Sequence, residues 1–201
     1  TSRTEILTDI KERLHDTNGQ VEVDTEAGVI RVNIDSASLV PESAKGIFDI
    51  GKSELTPSGK EIMLQIIQAI QGSKEHDINH KWSAIETILI EGHSDNHQYA
   101  GFSALDSRKE NIRLSQERAL NTMMFMGEYV GDINNFRNIR GKPLFSVAGY
   151  GESRPLIHIV NGKEVEAPPE KNRRIEFRFL TYNDNQFINE QIEKSKPGKE
   201  D

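Results

Sequence analysis

Residues 91–97, EGHSDNH, place two histidines and a carboxylate at alternate positions. In an extended chain every second side chain points the same way, so His93, Asp95 and His97 could face one side together. Two imidazoles and a carboxylate are competent zinc ligands, and a metal-dependent hydrolase is one function that this segment could serve. Gly92 marks the end of the preceding strand, however, so the alternation is not expected to reach His97, and we predict no bound metal.

Covalent catalysis has weaker support in the same segment. Ser94 lies between His93 and Asp95, but the members of a catalytic triad meet through space and not by adjacency in sequence. The chain has no G-x-S-x-G elbow. GYGES has neither the lysine of a phosphate-binding loop nor the dinucleotide fingerprint. These segments therefore give little support to covalent catalysis or to a bound nucleotide cofactor.

Composition excludes several other classes of protein. The 201 residues include 25 Lys and Arg against 32 Asp and Glu, a net charge of -7, so a broad nucleic-acid-binding face is not expected. The absence of cysteine rules out a disulfide scaffold and a thiolate metal site. No apolar run approaches the roughly 20 residues that span a bilayer. Because the sequence begins with Thr1, we expect it to be the soluble part of a longer protein, with any membrane segment before it.

Periodicity predicts an α+β fold: a mixed β-sheet with helices mainly on one face, plus an N-terminal helix. The predicted helices cover residues 4–14, 57–72 and 115–130, with Ser115 as the cap of the third. The predicted strands are QVEVD, GVIRVNID, AIETILIEG, LFSVAGYG and RRIEFRFL, with long loops over residues 93–111 and 152–171. The predicted divisions are a linker helix over 1–19, one domain over 20–182 and a polar, flexible tail over 183–201.

Four short motifs occur in a fixed order along the chain. They are GHSDN after a strand, NIRLSQERA at a predicted helix start, GYGESRP after the next strand, and NRRIE at the start of the last strand. This set resembles the OmpA-like peptidoglycan-binding domain family over roughly residues 29–180. The resemblance implies a βαβαβ-β domain that binds the peptide stem of peptidoglycan, chiefly its diaminopimelate residue. It also implies a protein that is not an enzyme and that carries no cofactor.

Within that family the sequence looks most similar to MotB-type flagellar stator subunits, because IFDIGKSELTPSGKEIM resembles a MotB stretch. That resemblance implies a periplasmic domain of a bacterial inner-membrane protein, anchored to the cell wall. Its implied partners are a second copy in a homodimer and an ion-channel subunit reached through a preceding membrane segment. A Zorya-type B subunit and a general OmpA-like envelope protein remain alternatives. The sequence departs from the family pattern in Ser94, which replaces a threonine, and in a longer spacing between Asp95 and Arg118.

The resemblance also implies which residues bind the ligand. Asp95 would hold the ammonium group of diaminopimelate and Arg118 its carboxylate, since a guanidinium grips a carboxylate with two hydrogen bonds. Free backbone N–H groups at the predicted helix start near Arg118 would favour the same anion. A plain salt bridge between Asp95 and Arg118 is the alternative. The remaining implied ligand-binding residues are Asn111, Leu114 and Ser94, and more weakly Phe48, Asp49 and Arg174.

Overall fold

The computed structural model describes residues 2–14, 17, 20–34 and 46–183. Its helices are α1 (Ser2–Arg13), α2 (Pro57–Glu75), α3 (Ala104–Val130) and the short α4 (Pro169–Asn172). Its strands are β1 (Val21–Asp24), β2 (Val29–Asn33), β3 (Ile85–His93), β4 (Phe145–Gly149), β5 (Ile157–Val160), β6 (Lys163–Glu166) and β7 (Arg174–Thr181). The predicted tail lies outside the described residues, apart from Asn183.

Five strands form one mixed sheet in the order β1-β2-β7-β3-β4. Only the β3–β4 pair is parallel among these neighbours. Along β3 and β7 the side chains alternate, so that Ile88, Ile90, Phe177 and Phe179 are buried on the face that packs against the helices. The predicted fold class, a mixed sheet with packed helices and an N-terminal helix, is confirmed.

Helix α1 packs against α2 and contributes to the core. Ile6, Leu7 and Ile10 are buried there at helical spacing. The predicted boundary at residue 19 stays a prediction, although α1 shares one hydrophobic core with the sheet. Over the described ranges, no helix is long and apolar enough to cross a membrane.

Helix α3 begins eleven residues earlier than predicted, at Ala104 rather than near Ser115. Ser103 caps it, with its hydroxyl accepting from the backbone N–H of Asp106 at 3.1 Å. The stripe that faces inward over this part of the helix is polar: Ser107, Asn111 and Ser115 are buried. A search for apolar periodicity therefore misses it, whereas the Ser103–Asp106 spacing is an N-terminal capping signal that the sequence contains.

The segment predicted as a loop over residues 152–171 contains the hairpin β5–β6. Asn161 and Gly162 both adopt positive φ, 51° and 75°, as a two-residue hairpin turn of this hand requires. The N-G pair between short β-branched stretches is a hairpin signal in the sequence. All eight strand residues are exposed, so the hairpin projects from the domain.

Glycines let α3 approach the ends of β3 and β4 closely. A Cβ atom added at Gly92 would lie 2.0 Å from the backbone oxygen of Ser115, and one at Gly149 would lie 2.5 Å from the backbone nitrogen of Gln116. The hydroxyl of Ser115 also accepts a hydrogen bond from the N–H of Gly151 at 3.0 Å. The glycines around the GYG motif therefore serve helix–sheet packing.

Replacing Gly92 by alanine should lower the free energy of unfolding by about 3 kcal/mol, the upper part of the usual overpacking range. The new methyl group meets helix backbone, which cannot rotate away. Urea denaturation followed by circular dichroism measures the change. Gly72→Ala is the matched control, because its methyl group meets only the flexible end of Arg13. Equal stability of the Gly92→Ala variant and the wild type would contradict this packing argument.

Candidate functional site

A cavity of about 390 Å³ opens where β3 ends and β7 begins, beside the buried stripe of α3. Seven of the eight residues predicted to bind a ligand line it: Phe48, Asp49, Ser94, Asp95, Asn111, Leu114 and Arg118. The other lining residues are Ile34, Ile50, Gly51, His97, Tyr99 and Arg173. Groups separated by up to 139 residues in sequence thus surround one small volume, which we call the pocket.

Backbone hydrogen bonds hold the walls of the pocket in place. The N–H of Ile34 donates to the carbonyl of Arg173 at 2.9 Å, and the N–H of Ile47 donates to the carbonyl of Ile34 at 2.8 Å. The side-chain amide of Asn111 also donates to the carbonyl of His97 at 3.0 Å and to the carboxylate of Glu152 at 3.1 Å. Asn111 therefore fixes the loop that carries Asp95.

Arg118 lies near the middle of α3, so the predicted contribution of free N–H groups at a helix start is wrong. The side chain is only 4% exposed. Its Nε donates to the carbonyl of Lys52 at 2.9 Å, and its guanidinium lies 5.1 Å from the ring centroid of Phe48. Arg118 thus joins α3 to the turn after Phe48, which forms one wall of the pocket.

Asp95 forms an ion pair with Arg173 across the pocket. The alternative of a plain Asp95–Arg118 salt bridge is therefore not the observed arrangement. The guanidinium groups of Arg118 and Arg173 and the carboxylates of Asp49 and Asp95 all line the pocket, next to the buried Leu114. Such a set suits a ligand that presents both an anionic and a cationic group close to an aliphatic stem.

Arg174 does not line the pocket, which corrects its predicted role. Strand alternation turns Arg173 toward the pocket and Arg174 to the face of the sheet opposite α2 and α3, where Arg174 is buried. There its Nε donates to Glu176 at 2.7 Å and its Nη2 to the carbonyl of Arg154 at 3.1 Å. The NRRIE motif contains both arginines, and only the side of the sheet to which each side chain points distinguishes them.

Arg174 belongs to a buried charged cluster on this face, opposite α2 and α3. The cluster is made of Arg31, Glu91, His93, Arg174, Glu176 and Arg178. Arg178 binds Glu91 through two nitrogens, at 2.9 and 3.0 Å. Glu176 accepts from Arg31, Arg174 and Arg178 at 3.2, 2.7 and 2.8 Å. The sequence shows these residues as ordinary strand charges, and only the pairing of β2, β7 and β3 brings them together.

The cluster shifts the pKa values of its members. Burial of Glu91 acts to raise its pKa, but hydrogen bonds from His93 and Arg178 outweigh burial and lower the pKa to about 2. Burial lowers the pKa of His93, although Glu91 at 3.4 Å acts in the opposite direction. Glu91 is therefore ionised and His93 neutral near pH 7.

The structure does not bring His93, Asp95 and His97 together as one group of metal ligands within the described residues. His93 is buried against Tyr150 with ring centroids 5.4 Å apart, Asp95 pairs with Arg173, and His97 is exposed beside Tyr99. Within the described ranges, the one compact group of potential ligands is Glu91, His93 and Glu176. Because arginines already hold both of those carboxylates, we interpret this group as part of the ion-pair cluster.

Residues 47–163 match the sequence model of the OmpA family. The comparison with curated proteins finds no match. A MotB-like protein from Desulfovibrio vulgaris has a similar structure, with a TM-score of 0.50 and 19% identity, covering 89% of this chain and 92% of the other. The cell wall anchor of the T6SS from Pseudomonas aeruginosa has a TM-score of 0.49 and 20% identity, covering 89% of this chain and 96% of the other. The periplasmic domain of Helicobacter pylori MotB has a TM-score of 0.46 and 17% identity, covering 84% of this chain and 87% of the other. At this level of identity the first of these structures supports the fold.

Proposed function

This chain belongs to the OmpA family, and from that premise we propose that it binds peptidoglycan without catalysing a reaction. The proposed ligand group is the diaminopimelate residue of the stem peptide. The observation that carries the proposal is the placement of Asp95 and Arg118 around one cavity of about 390 Å³. Diaminopimelate ends in a carbon that bears both an ammonium and a carboxylate, so it matches one acidic and one basic side chain.

Arg118 is the proposed partner of the ligand carboxylate. A guanidinium has five N–H donors in a planar fork, so it can hold the turn at Lys52 and bind a carboxylate at the same time. The charge is also largely removed from water, which strengthens a charge-assisted hydrogen bond. Leu114 would pack on the methylene groups of the ligand.

Asp95 is the proposed partner of the ligand ammonium. It is paired with Arg173 in the structure, so the ammonium would join or replace that partner. The pocket is lined by two arginines and two aspartates, so a ligand that brings a carboxylate as well as an ammonium meets a partner of opposite charge for each group.

We further propose that the domain anchors a membrane protein to the cell wall from the periplasm. The resemblance of residues 47–63 to MotB supports a stator subunit that dimerises and partners an ion-channel subunit. A Zorya-type B subunit and a general OmpA-like envelope protein would use the same pocket in the same way. Function as a metal-dependent hydrolase through His93, Asp95 and His97 is not proposed, since those groups do not converge.

Calorimetric titration with a diaminopimelate-containing stem peptide tests the proposal. The Asp95→Asn variant keeps the shape of the side chain and removes its charge, so it should bind about 30- to 5,000-fold more weakly, equivalent to about 2–5 kcal/mol. A stem peptide with lysine in place of diaminopimelate lacks the second carboxylate and is the ligand control. Equal affinity of the wild type and Asp95→Asn for the diaminopimelate peptide would refute the assignment of Asp95.

A further inference from the structure

An aromatic surface lies at the edge of the pocket, formed by His97, Tyr99 and Phe102. We call it the aromatic rim. His97 and Tyr99 line the pocket. Their ring centroids are 5.3 Å apart, and the ring of Phe102 lies 5.8 Å beyond that of Tyr99. Phe102 is 53% exposed, so the rim extends from the pocket wall out to solvent.

The rim is held in place by the start of α3. The N–H of Tyr99 donates to the hydroxyl of Ser107 at 3.1 Å, and the N–H of Phe102 donates to the carbonyl of Tyr99 at 3.1 Å. Asn111 donates to the carbonyl of His97 at 3.0 Å. These bonds fix the backbone under all three rings, so the rim presents an ordered surface to a ligand at little additional entropic cost.

The rim is also free of formal charge in a highly charged protein. Residues 97–105, HQYAGFSAL, contain no Asp, Glu, Lys or Arg, whereas charged residues make up 28% of the chain. Burial raises the pKa of Tyr99, and the Glu110 carboxylate acts the same way, so its phenol stays neutral. An uncharged aromatic surface with polar edges suits a neutral ligand whose apolar C–H faces lie flat on the rings.

We propose that the aromatic rim binds the amino sugars of the glycan strand to which the stem peptide is attached. The inference rests on the proposed function, because it places the peptide in the pocket. Pyranose rings have C–H faces that pack on aromatic rings, and N-acetylated sugars carry no charge. A stem peptide bound in the pocket brings its own sugars to the adjoining surface at high effective concentration. The pocket then recognises the peptide, and the rim recognises the polymer that carries it.

Two probes separate the rim from the pocket: the free diaminopimelate stem peptide, and the same peptide joined to its disaccharide. The wild type should bind the disaccharide-linked probe at least about fivefold more tightly, the gain expected from one good interfacial aromatic contact. Phe102→Ala should remove that gain and leave affinity for the free peptide unchanged. Phe102→Tyr should retain the gain, because the ring remains.

Tyr129→Ala is the matched control. Tyr129 is 47% exposed, close to the value for Phe102, and lies about 38 Å along α3 from the first residue of that helix, Ala104. The control should bind both probes like the wild type. Equal affinity of the wild type for the two probes, or an equal loss for both in Phe102→Ala, would overturn the rim proposal while the pocket stands. If the free peptide fails to bind the wild type, the proposed function itself fails.

Discussion

Replacing Glu176 by alanine should lower the free energy of unfolding by about 3–5 kcal/mol. The side chain is 1% exposed and accepts hydrogen bonds from Arg31, Arg174 and Arg178. Removing the carboxylate leaves Arg174, itself 3% exposed, with an uncompensated charge in a medium that solvates it poorly. Urea denaturation at pH 7 measures the loss.

Glu22→Ala is the control for the Glu176 experiment. Glu22 also pairs with Arg31, at 3.4 Å, but its side chain is 70% exposed. A pair of this kind contributes about 0–1 kcal/mol, since water and salt screen it. If Glu176→Ala lowers the free energy of unfolding by less than about 1 kcal/mol, the cluster tolerates removal of its central charge. That result would contradict the interpretation that the buried charges of the cluster depend on one another.

Replacing Arg118 by alanine should weaken binding of the diaminopimelate stem peptide by about 2–5 kcal/mol, or about 30- to 5,000-fold. The substitution removes the buried guanidinium proposed to bind the ligand carboxylate. A more specific expected result is the change in selectivity between two peptides. The wild type should prefer the diaminopimelate peptide to its lysine analogue, whereas Arg118→Ala should bind the two alike, because they differ only in that carboxylate. Calorimetry with both peptides measures the change.

Arg118 also positions the turn after Phe48, so a control must separate the two roles. Asn121 donates to the carbonyl of Ser53 at 2.7 Å from the next turn of α3, and it does not line the pocket. Asn121→Ala therefore weakens the attachment of the turn but keeps the guanidinium. It should keep the preference for diaminopimelate. Loss of that preference in Asn121→Ala would mean that the position of the turn, and not the Arg118 charge, determines selectivity.

The buried charged cluster and the pocket meet at two points in the chain. His93 precedes Ser94 and Asp95, and Arg174 follows Arg173, so each strand passes from the cluster directly into the pocket. The ion pairs of the cluster join β2, β7 and β3 immediately below the side chains proposed to bind the ligand. We expect the cluster to keep Asp95 and Arg173 in register, because a shift of either strand would break several buried ion pairs.

Much of the fold follows from local patterns in the sequence. The β1–β2 hairpin, helix α2 beginning at Pro57, and the apolar strand β3 all form where periodicity and turn residues predict them. The four motifs also contain five of the predicted residues that line the pocket, and the stretch that resembles MotB contains two more, Phe48 and Asp49. The helices and the hairpin depend on residues near one another in the chain. The pocket residues were found through the resemblance to a family whose fold already brings such residues together.

Only the tertiary structure decided the rest. The first three turns of α3 bury Ser107 and Asn111 against the loop at Tyr99 and His97, and bury Ser115 against the backbone at Gly92. These polar side chains conceal the helix from any search for apolar spacing. The choice of Arg173 over Arg174 depends on where β7 begins, and the partner of Asp95 depends on which strands are neighbours. Composition and spacing determined which charges this protein has; the pairing of distant strands determined which of them face a ligand and which face one another, because electrostatic energy depends on distance and burial in the folded chain.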